Sequence, residues 1–595
     1  MLRHQLVLMF FPALLLSLWL TPVAIRYSFR LNAVDRPDER KVHKNTVPRL
    51  GGVAIVVGLV LPLVFFAELD RMLVAFLGGI FFVLLTGFLD DVYRIPPAAK
   101  AAGEIAAAAT FVYLSGISIS GFGNLFSTGD VSLGDFGAVV TVFCMVGVMN
   151  ALNLSDGLDG LAGGISAIAC AFLGVFAYLH QGWLPLMILV ALLGSLFGFL
   201  RYNTYPANLF MGDTGSLLLG YTLSAVAVLM VQHDRTGFHL SPVTVAAVLA
   251  LPISDTLLVM ARRLWHGQNP FWPDRTHLHH RLLAMGFPHA TVVPILYVSM
   301  AAFGLLAWLL YESPDWFQFA AAILLAIVVH STVFALQRLG YRFEGGEGEA
   351  VDSSRSDPAY TMMARVMGKS VKVAAWGIGT GLAIPVFALP VVPPAFGGIA
   401  LAALVFIVAL FPWRAHASHI SIGYGLIYLA CLCLLALLQA VPGAPSWVPG
   451  YLATLSALVL VWVLLKMRYR GHREIVMISS FEVLLLGIAF LIPLVLAPAL
   501  GLSGGFRRML LTVCLESAAF LLAMKILIRR QPRRNYVIVG SLLIALALIV
   551  AKGFLSQGTY TNFVASPAGA SPSRELTTGI SMVAPPSSLP SKPVH

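Results

Sequence analysis

The sequence has few charged residues. They make up 11% of the 595 positions, whereas hydrophobic residues make up 58%. Because soluble globular domains carry roughly a quarter charged residues, this composition excludes an ordinary soluble fold. Apolar runs of about twenty residues recur along the chain, and each is long enough to cross a hydrocarbon core of roughly 30 Å. The sequence therefore predicts an all-α polytopic membrane protein embedded in a lipid bilayer.

Cysteine is also scarce, and the sequence motifs of a phosphate-binding P-loop and of a signal peptide are missing. The five cysteines all lie in apolar segments, so we expect them to pack as small hydrophobic side chains without disulfides or metal. The glycine pairs at 51–52 and 163–164 do not belong to a phosphate-binding P-loop, because the Gly-x4-Gly-Lys-Ser/Thr order is absent. The apolar segment at 6–25 is too long for a signal peptide and is predicted to be the first span.

The apolar runs predict two membrane regions. About eleven spans are expected in residues 1–340, and about seven more in residues 370–555. A polar linker at 341–369 separates the two regions. The tail at 556–595 is rich in Ser, Pro, Thr and Ala and is predicted to be disordered. The predicted centres lie near residues 15, 58, 81, 109, 143, 170, 191, 222, 251, 301 and 328, and then near 380, 403, 430, 456, 488, 518 and 543.

Positive charge predicts the orientation of the chain. The net charge is +11, from 38 basic and 27 acidic residues, and the basic residues fall in short loops between spans. The positive-inside rule then places the loop at 26–50 in the cytoplasm, with both the N-terminus and the C-terminal tail outside. Such loops favour contact with anionic headgroups or phosphates, and nucleic-acid binding is not expected.

The densest polar run lies at 150–164, on the predicted cytoplasmic face. It places Asn150, Asn153, Asp156 and Asp159 at three-residue steps. Carboxylates and carboxamides are costly near a bilayer core, so these side chains are expected to line a polar cavity. The alternative is a polar loop that ends one helix and starts the next.

Further acids lie on the same predicted face. Asp90 and Asp91 are adjacent, and Asp213 lies between Gly212 and Thr214. Neighbouring carboxylates repel each other unless a cation or a proton lies between them, and Mg²⁺ prefers a few carboxylates together with waters and phosphate oxygens. The sequence therefore favours a magnesium site, although an ordinary helix end in water would also accommodate adjacent acids.

A basic motif completes the predicted cytoplasmic face. His277, His279, His280 and Arg281 lie within five residues. Zinc binding is one interpretation, but the adjacent histidines diverge and no cysteine accompanies them, so phosphate binding is favoured. Asp255 lies in an apolar span, seven residues before Arg262 and on nearly the same helix face. A structural contact between them and a catalytic role for Asp255 both stay open.

These motifs resemble the polyprenyl-phosphate N-acetylhexosamine-1-phosphate transferase superfamily, glycosyltransferase family 4. The resemblance covers about residues 1–340 and implies about eleven spans with a cytoplasmic active site. The forms of the arginine and histidine motifs resemble the undecaprenyl-phosphate GlcNAc-1-phosphate transferase branch. Residues 370–555 resemble nothing that we recognise, and their role is left open. The matching pieces are His43, residues 47–52, Asp90–Asp91, residues 150–160, residues 211–216, Pro252 with Asp255, and residues 277–281.

The resemblance implies a reaction and its substrates. A HexNAc-1-phosphate, with GlcNAc-1-phosphate favoured, is transferred from a UDP-sugar to undecaprenyl phosphate, releasing UMP. This is the first membrane step of cell-surface polysaccharide synthesis at the bacterial inner membrane. The phospho-MurNAc-pentapeptide translocases of peptidoglycan synthesis and a membrane transporter are the alternatives. Attack by an aspartate and direct attack by the lipid phosphate both stay open, as does assembly into a homodimer.

The resemblance also implies roles for individual residues. Asp213 would bind Mg²⁺, or Mn²⁺ in its place, with Asn153 as a further ligand. Asp90 and Asp91 would bind the metal or the lipid phosphate, and one of them would act as a base. The remaining candidates would bind substrate, and they are Lys44, Arg49, Lys100, Asn150, Asn153, Asp156, Asp159, His277, His279, His280 and Arg281.

Overall fold

The computed structural model describes most of the chain. The described residues are 2–36, 46–231, 240–269, 276–342, 358–389, 445–470, 504–530 and 536–555, with isolated positions between 392 and 487. By their contacts the residues group into two compact units. One contains Met1–Gly348 and Ser479–Ile488, and the other contains Glu349–Ile478 and Ala489–His595. Lys44, a predicted substrate-binding residue, lies outside the described residues, as do the predicted tail and the span centres near 403, 430 and 488.

The first unit is built almost entirely from helices. Long runs without charge favour helices in a membrane, because a helix satisfies its backbone N–H and C=O groups internally. A short antiparallel pair, β1 (Val34–Asp35) with β2 (Val47–Pro48), precedes α2. The helices are α1 (Leu2–Arg30), α2 (Gly51–Phe66), α3 (Arg71–Tyr93), α4 (Pro97–Ser115), α5 (Gly137–Ser155), α6 (Leu161–Leu179), α7 (Trp183–Asn203), α8 (Gly212–Val231), α9 (Pro242–Val248), α10 (Ala250–Trp265), α11 (Leu278–Ala284), α12 (His289–Leu310) and α13 (Asp315–Arg338).

Every span centre predicted before residue 340 lies in one of these helices. Nine described helices are long and apolar enough to cross a membrane, and one of them, Trp447–Lys466, is in the second unit. Three helices at predicted centres fall outside this set, and one of them, α10, belongs to the broken span at residue 249. The helix α2 has only 16 residues, and in α4 the charged Lys100 and Glu104 lower the mean hydropathy. The prediction of an all-α polytopic membrane protein is confirmed.

The span predicted near residue 251 differs from the prediction, because it is broken. The helices α9 and α10 meet at Leu249 with a bend of 81°. Pro252 has no N–H to donate to the carbonyl of Val248, so one continuous helix would lose a hydrogen bond at this point. The break turns α10, which carries Asp255, away from the direction of α9.

The centre of the first unit is formed by α6 and α8. Their most apolar segments are 83% and 89% buried, whereas that of α13 is only 6% buried. Several helices pack against α8, among them α3 and α5. Since these three helices carry the acidic motifs at their ends, their packing brings those motifs together.

The second unit is also helical in its described part. Its helices share a buried apolar core that includes Ile378, Leu452, Phe520 and Ile549. The first of these helices begins before Lys369, the predicted end of the linker, because its first turns already contain apolar residues. The helices are α14 (Pro358–Ala388), α15 (Trp447–Arg470), α16 (Gly504–Arg530) and α17 (Tyr536–Leu555).

Candidate active site

Asp213 is the centre of the polar cluster. It lies in the first turn of α8, and its Oδ1 accepts hydrogen bonds from Lys100 Nζ and Asn153 Nδ2, both at 2.6 Å. Its Oδ2 accepts a hydrogen bond from Arg49 Nη2 at 3.2 Å. Three predicted site residues from three separate parts of the chain therefore meet at the carboxylate of a fourth, Asp213. Ser216 also joins the cluster, since its hydroxyl lies 2.7 Å from Asn153 Nδ2.

The adjacent acids Asp90 and Asp91 have different surroundings. Asp91 is only 4% exposed. Its Oδ1 accepts a hydrogen bond from the backbone N–H of Asp213 at 2.8 Å, and its Oδ2 accepts from the N–H and the hydroxyl of Thr214. Asp90 is half-buried, and its Oδ2 lies 3.5 Å from Lys100 Nζ. Asp91 therefore holds the start of α8 in place, whereas Asp90 faces the polar cluster.

Close backbone approach makes this arrangement possible. The N–H groups of Gly51 and Gly52 donate to the carbonyls of Phe210 and Met211, at 3.0 and 2.8 Å. A Cβ atom on Gly52 would lie 2.2 Å from the backbone nitrogen of Gly215. Only glycine therefore lets the start of α2 touch the start of α8. This contact places Arg49, just before α2, against Asp213.

The loop between α5 and α6 joins the cluster to its surroundings. The carboxylate of Asp159 accepts a hydrogen bond from the N–H of Ala207 at 2.9 Å, and its own N–H donates to Nε2 of His289 at 3.0 Å. The next residue, Gly160, donates to Oδ1 of Asn203 at 3.0 Å. Asp159 thus fixes the position of this loop against the segment that precedes α8.

Asp156 lies in the same loop, close to the charged groups of the cluster. Burial raises its pKa to about 8, and the negative charges of Asp213 and Asp91 act in the same direction. The guanidinium of Arg49 opposes this shift only in part. A large fraction of Asp156 is therefore protonated at neutral pH.

The histidine motif is anchored by Asp255. Nδ1 of His277 lies 2.9 Å from Oδ2 of Asp255, and the N–H of Leu278 donates to Oδ1 at 3.0 Å. The partner of Asp255 is thus His277. The contact with Arg262 that helical spacing allows is not formed, and the side chain of Arg262 is exposed on α10. Asp255 fixes the start of α11, the helix that carries the other residues of the motif.

The remaining residues of this motif have separate surroundings. His279 is 3% exposed and packs against Gly157, where a Cβ atom would lie 2.3 Å from its Nε2. Burial and the neighbouring His280 lower the pKa of His279 to about 3, so its ring is neutral at physiological pH. Arg281 donates from Nε to the carbonyl of Thr276 at 2.8 Å and lies 5.8 Å from the ring centre of Phe334.

Asn150 differs from the other members of its run. Its Nδ2 donates to Oε2 of Glu104 at 2.5 Å and to the carbonyl of Val146 at 3.0 Å. Glu104 is only 2% exposed. Glu104 is therefore buried against the half-buried Asn150, which lies one helical turn from Asn153.

The oxygen atoms around Lys100 are suitable ligands for a hard cation. Oxygen atoms of Asp90, Asp213 and Asn153 lie 3.5, 2.6 and 3.2 Å from Lys100 Nζ. Carboxylate and amide oxygens of this kind are the protein ligands that Mg²⁺ prefers, so these residues fit the ion chemically. No group of three or more His, Cys, Asp or Glu side chains among the described residues is arranged to hold a metal. Magnesium binding therefore stays a prediction.

Several residues of the site could not be identified from sequence motifs. Glu104 has a signal in the sequence, since it is a lone acid in an alanine-rich helix, four residues after Lys100. Asn203 and His289 have no such signal in the sequence, because they accept hydrogen bonds from backbone N–H groups of a loop that is distant in sequence. Tyr297 belongs with them, since its hydroxyl donates to the carbonyl of Gly160 at 2.6 Å.

Three bacterial relatives align with about half of this chain. A probable undecaprenyl-phosphate N-acetylglucosaminyl 1-phosphate transferase of Bacillus subtilis is 35% identical over 324 residues, or 54% of this chain and 90% of that protein. The decaprenyl-phosphate N-acetylglucosaminephosphotransferase of Mycolicibacterium smegmatis is 32% identical over 54% of this chain and 85% of its own. The undecaprenyl-phosphate alpha-N-acetylglucosaminyl 1-phosphate transferase of Escherichia coli K12 is 28% identical, with coverages of 48% and 80%.

A family profile matches the part of the chain that carries the polar cluster. The profile of glycosyl transferase family 4 covers residues 73–231. This segment includes Asp90, Lys100, Asn153 and Asp213. Together with the Bacillus relative, it confirms the resemblance seen in the motifs, and the chain belongs to glycosyl transferase family 4.

Proposed function

We propose that the chain transfers GlcNAc-1-phosphate from UDP-GlcNAc to a polyprenyl phosphate and releases UMP. An oxygen of the lipid phosphate attacks the donor phosphorus that carries the sugar. The bond between the two donor phosphates breaks, and UMP leaves with the electron pair of that bond. The names of the relatives support this reaction, because all three are polyprenyl-phosphate transferases of N-acetylglucosamine phosphate.

One observation carries the proposal: two cationic side chains approach opposite oxygens of Asp213. Lys100 lies 2.6 Å from Oδ1, and Arg49 lies 3.2 Å from Oδ2. Diphosphate cleavage requires positive groups fixed where negative charge develops, and fixed groups of this kind stabilise transition states strongly. Lys100 and Arg49 are therefore the groups proposed to bind the donor phosphates, while Asp213 keeps them in place.

The proposal gives separate roles to the three acids. Asp90 lies 3.5 Å from Lys100 Nζ, and its carboxylate is not used to hold backbone N–H groups as that of Asp91 is. Asp90 is therefore proposed to accept the proton of the lipid phosphate. Asp91 positions Asp213 through the start of α8. The carboxylate of Asp213 already accepts hydrogen bonds from Lys100, Asn153 and Arg49. Direct attack by the lipid phosphate is therefore proposed, in preference to attack by this carboxylate.

A bound Mg²⁺ ion would fit this scheme as a further positive charge. Asp90, Asp213 and the amide oxygen of Asn153 would hold Mg²⁺, and Mn²⁺ would suit the same oxygen ligands. When bound, the ion would neutralise charge on the donor phosphates during transfer. The site is proposed to face the cytoplasm of the bacterial inner membrane, since the basic loops lie on that side by the positive-inside rule.

The test is a reconstituted reaction with purified full-length protein. Undecaprenyl phosphate and Mg²⁺ are incubated with a panel of UDP-sugars, and UMP and the lipid product are measured. UDP-GlcNAc is expected to give both products. Turnover only with UDP-MurNAc-pentapeptide would favour the translocase alternative, and absence of UMP with every donor would contradict the proposal.

A further inference from the structure

Glu104 is a buried acid to which the proposed reaction assigns no role. It lies on α4 and is only 2% exposed. A buried carboxylate is costly unless its environment supplies hydrogen bonds or an opposite charge. Glu104 has both, since Asn150 donates to its Oε2 at 2.5 Å and the ammonium of Lys100 attracts it from the preceding turn.

The contact between Glu104 and Asn150 joins two helices. Glu104 lies on α4 and Asn150 on α5. The amide nitrogen of Asn150 also donates to the carbonyl of Val146 at 3.0 Å, so both of its hydrogens have acceptors. The orientation of this amide is therefore fixed from both sides. If the acceptor on Glu104 were lost, the half-buried amide of Asn150 would be left without a partner on α4.

A second contact joins the same two helices one turn away. Lys100 Nζ on α4 donates to Oδ1 of Asn153 on α5 at 3.2 Å. Lys100 and Glu104 are four residues apart, and Asn150 and Asn153 are three apart, so each pair lies on one face of its helix. The Glu104–Asn150 contact is thus the inner of two parallel links. The outer link places Lys100 between Asp90 and Asp213.

Packing on the other side of α4 fixes the same region. A Cβ atom on Gly103 would lie 2.0 Å from Oγ1 of Thr86, so α4 touches α3 directly beside Glu104. Thr86 is one turn before Asp90 on α3. Glu104 therefore lies where α4 is held between the helix that carries Asp90 and the helix that carries Asn153.

We propose that Glu104 is a positioning residue for the transferase reaction. Through its hydrogen bond to Asn150 and its charge, it holds the ammonium of Lys100 between Asp90 and Asp213, without touching either substrate. This inference rests on the proposed function and assigns Asn150 to the support of Lys100 in place of direct substrate binding. It predicts that changes at Glu104 lower kcat and leave the KM of both substrates nearly constant.

Two variants of the full-length protein test the kinetic part. Glu104→Gln keeps the size and one acceptor but loses the charge, and we expect kcat to fall by about tenfold. Glu104→Leu loses both, and we expect a fall of about 100-fold. Asp130→Asn, at an exposed position outside the polar cluster, is the matched control and should keep the wild-type kcat. If Glu104→Gln kept the wild-type kcat, or if either variant raised KM at constant kcat, the proposal would be overturned.

A second measurement does not depend on turnover. Acetic anhydride acylates exposed lysine amines, and mass spectrometry gives the rate at each lysine. In Glu104→Gln the rate at Lys100 should rise several-fold relative to the other lysines, because its ammonium is held less firmly. An unchanged rate at Lys100 would overturn the proposal. Absence of UMP release by the wild-type protein would contradict the proposed function, whereas this labelling rate would still decide the role of Glu104.

Discussion

Oδ2 of Asp91 accepts hydrogen bonds from both the backbone N–H and the hydroxyl of Thr214, at 3.0 and 2.7 Å. Its other oxygen accepts the N–H of Asp213. The carboxylate thus satisfies N–H groups at the start of α8 that have no partner within the helix, and its negative charge matches the positive end of the helix dipole. Asp91 and Asp90 are therefore expected to respond differently to the same substitution.

Asp91→Asn should reduce stability as well as activity. The amide offers only one acceptor oxygen, and its NH2 group would face N–H donors. Loss of hydrogen bonds to a charged group costs roughly 2 kcal/mol, so the thermal unfolding midpoint in detergent should fall clearly. Asp90→Asn should keep the wild-type midpoint but lose at least about 100-fold in kcat, as expected for removal of a general base. Equal midpoints for the two variants would contradict the assignment.

Asp213→Asn should abolish transfer without unfolding the protein. The backbone N–H of Asp213 would still donate to Asp91, so the start of α8 is kept, whereas the charge that holds Lys100 and Arg49 is lost. UMP release should fall below roughly one per cent of the wild-type rate. In the wild-type protein, EDTA should stop the reaction and added Mg²⁺ should restore it. Full turnover in EDTA would show that the metal prediction is wrong.

Asp156 should make the protein less stable as the pH rises. Its pKa is raised to about 8, so the folded state binds its proton more tightly than the unfolded chain does. The stabilisation is complete below the unfolded value of about 4 and is lost as the pH rises to about 8. Asp156→Asn should flatten this fall in the free energy of unfolding between pH 5 and pH 8. Parallel stability curves for the two proteins would refute the shift.

His279 should have the opposite effect at lower pH. Burial lowers its pKa to about 3, so the unfolded chain binds a proton near pH 6.5 that the folded state does not. Its contribution is complete above about pH 6.5 and is lost as the pH falls towards 3. His279→Gln, which cannot be protonated, should reduce the acid sensitivity measured by unfolding in detergent between pH 7 and pH 4. An equal loss of stability in the wild-type protein and in His279→Gln would contradict the prediction.

Gly52→Ala should damage the site through the backbone alone. The added Cβ would lie 2.2 Å from the nitrogen of Gly215, and backbone cannot move aside without separating α2 from α8. Overpacking of this kind costs about 1–3 kcal/mol, and Arg49 should lose its position against Asp213. The matched control is Gly147→Ala on α5, where no atom lies within 4 Å of the added Cβ. Gly52→Ala should show a lower unfolding midpoint and less UMP release than Gly147→Ala.

The sequence by itself determined the helices and the composition of the site. Uncharged runs of about twenty residues must form helices in a bilayer, because no water is present to satisfy the backbone. All eleven predicted centres before residue 340 therefore fall in helices. The motifs that carry Asp90, Asn153 and Asp213 could be assigned to one face, since alternating spans place every second loop on the same side.

Only the tertiary structure decided which side chains meet. Spacing along one helix predicts that Asp255 faces Arg262, but the start of α11 places His277 and the N–H of Leu278 against Asp255. Two adjacent acids that look equivalent in sequence differ completely, because the rotation of α3 points Asp91 at the backbone of α8 and leaves Asp90 beside Lys100. Spacing within a helix fixes which residues share a face, whereas the rotation and depth at which helices pack fix the partners across them.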